Sequence, residues 1–307
     1  MRITRRPSIS LAAALTLAAL VSPPASGASG ASLPSPKPGT AAQVAALVKA
    51  SSTIATLPKG LVPSLTQAPT DRANTTYPTS VTCLTLTACA FGDTTSDTVV
   101  VLYGDSHAQM WLPAIAPDAT ALKVRLVLVW NPACPVIDTT LVTPYCQSFR
   151  ATTVAKIHAL DPALVLLADR TSDVVAPDGK PISSAQWQLG MVATIRALKS
   201  ATTRVAVIGD VTQFNEPVPT CLAQHPTKVR ECAVPYANPS TQPHFVAEQN
   251  AATTTKVPYI ATRGWLCTAT CSAVVGPMVV YFDQGHVSST YAEYLSGVWK
   301  TVLKPLV

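Results

Sequence analysis

A three-layer α/β/α fold built on a doubly wound parallel sheet is the class this sequence predicts, and three observations predict it. Short apolar runs rich in Val, Ile and Leu recur at 98–103, 124–130, 163–168, 204–209 and 257–261. These runs do not alternate with polar residues, which is the pattern of strands buried on both faces. The stretches between them have helical character, and strands separated by helices close into a parallel sheet through right-handed crossovers. The 307 residues suffice for one such domain with extensions.

The chain opens with Arg2, Arg5 and Arg6, then an apolar stretch at 9–21, then small residues up to Ala28 and Ala31. Residues 1–31 are therefore expected to be a secretory signal peptide, since the apolar stretch is short for a membrane span. Residues 32–82 are rich in Pro, Ser and Thr and read as a linker and an extended N-terminal arm wrapping the domain. Within them Thr40 caps a short helix over 41–50. The domain proper is expected over 83–307.

In that domain the first strand runs straight into Gly104-Asp105-Ser106-His107. A helix is expected over 108–122, with Pro113 and Pro117 in its first turn or breaking it. The strand at 124–130 leads to Asn131-Pro132-Ala133-Cys134-Pro135, and a helix is expected over 149–160. The strand at 163–168 ends in Asp169-Arg170-Thr171. The helix at 184–200, capped by Ser183 or Ser184, places Leu189, Val192, Ile195 and Leu198 on one face. The strand at 204–209 ends in Asp210 and precedes a proline-rich insertion, 213–239, expected to be mostly loop. A helix over 244–255, the strand at 257–261, a short apolar segment at 278–282 and a closing helix over 291–303 complete the pattern.

Charge narrows the partners. Three of the 22 basic residues lie in the leader, leaving 19 against 16 acidic ones, a net of +3. That balance, without a Lys/Arg run, does not point to nucleic acid. The eight cysteines fall as four neighbours in sequence, Cys83 and Cys89, Cys134 and Cys146, Cys221 and Cys232, Cys267 and Cys271. An exported chain keeps such cysteines as disulfides, and adjacent pairing is the simplest of the 105 possible connectivities. Neither their spacing nor the scattered His158, His225 and His244 suggests a metal, and no cofactor is expected. Trp111, Trp187, Trp265 and Trp299 are core candidates before they are a sugar-stacking surface.

The chemistry resides in two short motifs far apart in the chain. A serine at the carboxyl end of a buried strand has its hydroxyl at the rim of the sheet, where ligands of such folds bind. Its amide lies at a helix N-terminus. Gly-Asp-Ser alone is more often a turn than a nucleophile. Tyr281-Phe282-Asp283-Gln284-Gly285-His286, just before the last helix, changes that reading. A serine hydroxyl needs a base to take its proton, and the base needs a carboxylate to orient it. Asp283 and His286 supply both, so Ser106, His286 and Asp283 are the candidate catalytic residues. Asp105, His107, Asn131 and Arg170 are candidates for oxyanion or substrate contacts, with Asp105 expected to bond local amides.

Gly-Asp-Ser-His after a strand, Cys134-Pro135 after the second strand and the C-terminal Asp-x-x-His together resemble the SGNH (GDSL-type) hydrolase superfamily. They are most similar to the SGNH domain fused to bacterial membrane acyltransferase-3 proteins, and the resemblance runs from about Cys83 to the C-terminus. It implies a flavodoxin-like α/β/α domain with Ser106 as nucleophile, His286 as base and Asp283 as orienting acid. It further implies a secreted esterase or O-acyltransferase acting, through an acyl-serine, on O-acyl (acetyl) esters of cell-envelope glycans or glycolipids. The expected partners are an acylated glycan or other ester and a membrane acyltransferase in trans. One departure stands out: the family's Gly-x-Asn-Asp is absent, and only the Ser106 amide remains of its oxyanion donors. That departure supports an alternative, a glycan-binding or accessory domain with weak or no catalysis.

Overall fold

The structure is a computed structural model and describes residues 36–77, 79, 89–172, 174–239 and 241–307. The expected signal peptide and the Cys83–Cys89 pairing lie outside the described residues, because residues 1–31 and Cys83 do.

In chain order the strands are β1 (Ala90–Gly92), β2 (Val99–Gly104), β3 (Arg125–Trp130), β4 (Leu164–Ala168), β5 (Arg204–Ile208), β6 (Val234–Pro235), β7 (Tyr259–Ile260), β8 (Thr270–Cys271), β9 (Val274–Val275) and β10 (Met278–Val279). The helices are α1 (Ala41–Ser51), α2 (Ala73–Thr76), α3 (Ser106–Met110), α4 (Leu112–Ala121), α5 (Pro144–Leu160), α6 (Ser184–Leu198), α7 (Val218–Gln224), α8 (Gln242–Thr255), α9 (Ser289–Tyr294) and α10 (Ser296–Leu303).

The main sheet has the order β1-β3-β2-β4-β5-β7. β2 is central and parallel to both β3 and β4, which places Gly104 opposite Trp130 and Ala168. Every residue of β2 is buried. Val100 and Leu102 face one core with Ile115, Tyr291 and Trp299, while Val99, Val101 and Tyr103 face the other with Ile157, Trp187 and Met191. Helices therefore cover both faces, and the three-layer α/β/α expectation holds. Trp111, Trp187 and Trp299 are fully buried, and Trp111, Trp265 and Trp299 meet edge to face.

Several local expectations are corrected. The sheet is not purely parallel, because β1 pairs antiparallel with β3 at the edge. Three residues are too few to carry a period, and antiparallel edge strands are common on doubly wound sheets. The single helix over 108–122 is two, α3 and α4, joined at Trp111. Pro113 is tolerated in the first turn of α4, where its missing N–H is not needed, and Pro117 lies inside the helix without ending it. On α6 Leu189 is exposed rather than buried with Ile195 and Leu198. A spacing of three falls 60° short of a full turn, and the buried face instead runs through Trp187, Met191, Ile195 and Leu198.

The proline-rich insertion is more ordered than a loop. It holds α7, a 3-10 turn (Val229–Cys232) and β6, stapled by Cys221–Cys232. The apolar segment at 278–282 begins as β10 and pairs with β9 in a hairpin outside the main sheet. The closing helix over 291–303 is likewise two, α9 and α10.

Candidate active site

Three parallel strands deliver an aspartate each to one rim of the sheet. Asp105 follows β2, Asp169 follows β4, and Asp210 stands two residues past β5. At the first of these Gly104 is required by space: a Cβ there would lie 1.7 Å from the Ala168 carbonyl oxygen. The turn that follows is held by its own carboxylate. Asp105 Oδ1 accepts the His107 amide at 2.7 Å and Oδ2 accepts the Arg170 amide at 3.0 Å. The Asp105 amide in turn donates to Asp169 Oδ1 at 3.1 Å, and Asp169 Oδ2 accepts the Val136 amide at 2.9 Å. Ser106 thus opens α3 on a turn tied to β4 and to the loop after β3.

The second motif lies on a narrow loop. Tyr281 and Val287 form a bridge, and the Phe282 amide donates to the His286 carbonyl at 3.0 Å. The amides of Gly285 and His286 both donate to Asp283 Oδ1 at 2.9 Å. Residues 214–218 back this loop, with the Phe214 and Val218 amides donating to the Gln284 and Asp283 carbonyls.

The two motifs, 180 residues apart, meet. His286 Nε2 lies 2.8 Å from Ser106 Oγ, and His286 Nδ1 lies 2.8 Å from Asp283 Oδ2. Burial would raise the Asp283 carboxyl, but the hydrogen bond and charge of His286, with the two backbone amides, bring it down to about 2. The carboxylate is the form that holds Nδ1 protonated and leaves Nε2 to accept from the serine. The His286 and Asp283 side chains remain 21% and 35% exposed, so the pair is reachable from solvent.

His107 takes a different path. Its side chain is 2% exposed and its Nδ1 lies 2.7 Å from Asp210 Oδ1. Burial works against its protonation, yet the facing Asp210 raises the imidazole overall; burial likewise works against the Asp210 carboxylate, yet His107 lowers it overall. Asp210 also accepts from the amide and hydroxyl of Thr171 and from the Val211 amide. Behind it, Glu248 Oε2 accepts the Asp210 amide at 2.9 Å. Burial, and then the neighbouring carboxylates, push Asp169 and Glu248 well above the ordinary carboxylate range.

Of the four expected oxyanion or substrate residues, Asp105 and His107 are committed to this buried framework. Asn131 is buried and donates through Nδ2 to the Tyr145 hydroxyl at 2.9 Å. Arg170 contributes its amide to Asp105. Asp169, Asp210 and Glu248 were assigned no role from the sequence. The signal for the two aspartates was their place just past an apolar strand, whereas Glu248 sits mid-helix with nothing to mark it. Among the described residues no group of three or more His, Cys, Asp or Glu is arranged to hold a metal. Disulfides join Cys134 to Cys146, Cys221 to Cys232 and Cys267 to Cys271.

A family model described as the SGNH domain (fused to AT3 domains) matches residues 73–301. Among solved structures, the periplasmic domain of a lipopolysaccharide acetyltransferase from Salmonella ser. Paratyphi A is similar, with a TM-score of 0.55 and 14% identity over 68% of this chain and 84% of that one. At that identity the likeness is one of fold. A GDSL-like lipase from Parabacteroides merdae matches with a TM-score of 0.42 and 8% identity, over 69% of this chain and 97% of that one. No curated protein matches.

Proposed function

The chain belongs to the SGNH family, in the group of domains fused to AT3 domains, and from that premise we propose that it is a serine esterase or O-acyltransferase acting outside the cytoplasm. The family makes the coarse kind of chemistry a hydrolase's or an acyltransferase's. The finer reading is that Ser106, His286 and Asp283 form the catalytic triad. The single observation that carries it is the continuous run of contacts from Asp283 Oδ2 through His286 to Ser106 Oγ, 2.8 Å at each step.

In this reading Ser106 Oγ attacks the ester carbonyl as His286 Nε2 takes its proton. The oxyanion forms against the Ser106 amide at the start of α3. His286 then gives the proton to the departing alcohol, which leaves an acyl-serine. Water or a second hydroxyl, deprotonated by the same imidazole, resolves it. The substrate we propose is an O-acyl, in particular acetyl, ester on an envelope glycan or glycolipid, with a membrane acyltransferase as partner. The family's fusion to AT3 domains supports that pairing. The three disulfides among the described residues support an oxidising compartment, consistent with a leader over residues 1–31.

A second reading, a glycan-binding domain without turnover, is favoured by one observation: the Asn131 amide already donates to Tyr145. A fluorophosphonate probe separates the two. The enzyme reading expects one adduct, on Ser106, that Ser106→Ala abolishes; a folded protein that stays unlabelled overturns it. Acetyl, butyryl and octanoyl p-nitrophenyl esters, followed by acetylated glycans, then define the acyl group and the acceptor.

A further inference from the structure

Two hydrogen bonds hold the nitrogens of the His286 ring, and packing against its faces limits how far the side chain can swing away from them. Phe282 holds one face, lying parallel to the imidazole with ring centroids 5.1 Å apart and 13° between planes. His107 meets it edge to face at 4.7 Å. Phe282 is itself covered: the Arg72 guanidinium carbon lies 4.8 Å from the Phe282 ring centroid. Arg72 comes from the N-terminal arm, one residue before the 73–301 region that the family model matches.

The arm is pinned on both sides of this contact. The Asp71 carbonyl accepts the Ser289 amide at 2.9 Å, and Asp71 Oδ2 accepts the Thr290 amide at 3.0 Å, both at the start of α9. Arg72 Nε donates to the Pro69 carbonyl at 3.1 Å. Thr79 Oγ1 accepts from Gln109 Nε2 at 2.6 Å, on the helix that carries Ser106. One short segment therefore touches the element bearing the nucleophile and the loop bearing the base.

We propose that Arg72 is a positioning residue for His286, acting through Phe282, with Asp71 and Thr79 strapping the arm across the two catalytic elements. The proposal rests on the reading of His286 as the base.

The test compares wild type with Arg72→Gln, Arg72→Lys and Phe282→Leu, each first matched to wild type in melting temperature and far-UV spectrum. The His286 ring resonances are recorded by NMR, and kcat and KM for p-nitrophenyl acetate are measured. Arg72→Gln is expected to displace and broaden the His286 ring resonances and to lower kcat about two- to fivefold at unchanged KM. Arg72→Lys should restore most of both effects, and Phe282→Leu should reproduce the kcat loss. His286 resonances that stay in place in Arg72→Gln, or a change in KM alone, overturn the proposal. The NMR readout needs no turnover, so a wild type inert to esters and to the fluorophosphonate defeats the enzyme reading while the strap is still decided by the resonances.

Discussion

Asp283 serves two structures at once, because its two oxygens meet different donors. Oδ1 closes the loop by accepting the Gly285 and His286 amides, and Oδ2 orients the His286 ring. Asp283→Asn should therefore lower kcat by about 10²- to 10⁴-fold, because an amide can stabilise the wrong tautomer; steady-state rates on p-nitrophenyl acetate check this. The same substitution reports on acid stability. The folded carboxyl titrates at about 2, below the ordinary value of about 3.9. Its stabilisation is fully present above about pH 4 and is lost as pH falls from there towards about 2. The difference in melting temperature between wild type and Asp283→Asn should accordingly shrink across that window.

At the same scale, Asp210→Ala leaves the buried His107 imidazole without its partner. It should cost about 3–5 kcal/mol, read from urea unfolding. The partner of His107 lies 103 residues away, so no local feature of the sequence could have placed this residue in a buried pair instead of at the substrate.

At the scale of elements, the join between β2 and α3 is set by space. Gly104→Ala puts a methyl group 1.7 Å from a backbone oxygen of β4, and two central strands must separate to admit it. A loss of about 3 kcal/mol or more is expected, together with a displaced Ser106. Thermal unfolding and fluorophosphonate labelling of the variant check both. On the neighbouring strand the Cys134–Cys146 disulfide has a comparable role, fastening the loop after β3 to the first turn of α5. The strands at 204–208 and 164–168 were legible because an unbroken apolar run has few other places to go. Helix ends were less so: the join at Trp111 sits just before Pro113 in the first turn of α4, while the join at Leu295 has no mark in the apolar pattern.

At the scale of the molecule, the disulfides among the described residues fasten loops. Cys221–Cys232 staples the insertion that backs the Asp283 loop, and Cys267–Cys271 closes the turn into β8. A loop of 11 or 12 residues contributes about 2–4 kcal/mol when cross-linked. Reduction with dithiothreitol should thus lower the melting temperature by several degrees. Ester hydrolysis should fall with it, as the backing at 214–218 loosens.

The α/β/α class, the strand that carries Ser106 and the candidacy of a strand-end serine with a distant Asp-x-x-His could all be read from the sequence itself. Those features depend on local apolar runs and on residue types the chemistry demands. The antiparallel edge strand, the true buried face of α6, the commitment of Asp105 and His107 to a framework of buried acids, and the contact of Arg72 with Phe282 were decided only by tertiary structure. Each depends on which residues become neighbours across tens or hundreds of positions. The Ser106–His286 contact is the point where the two kinds of information join: the residues were legible in the sequence, and the 2.8 Å between them was set by the folded sheet.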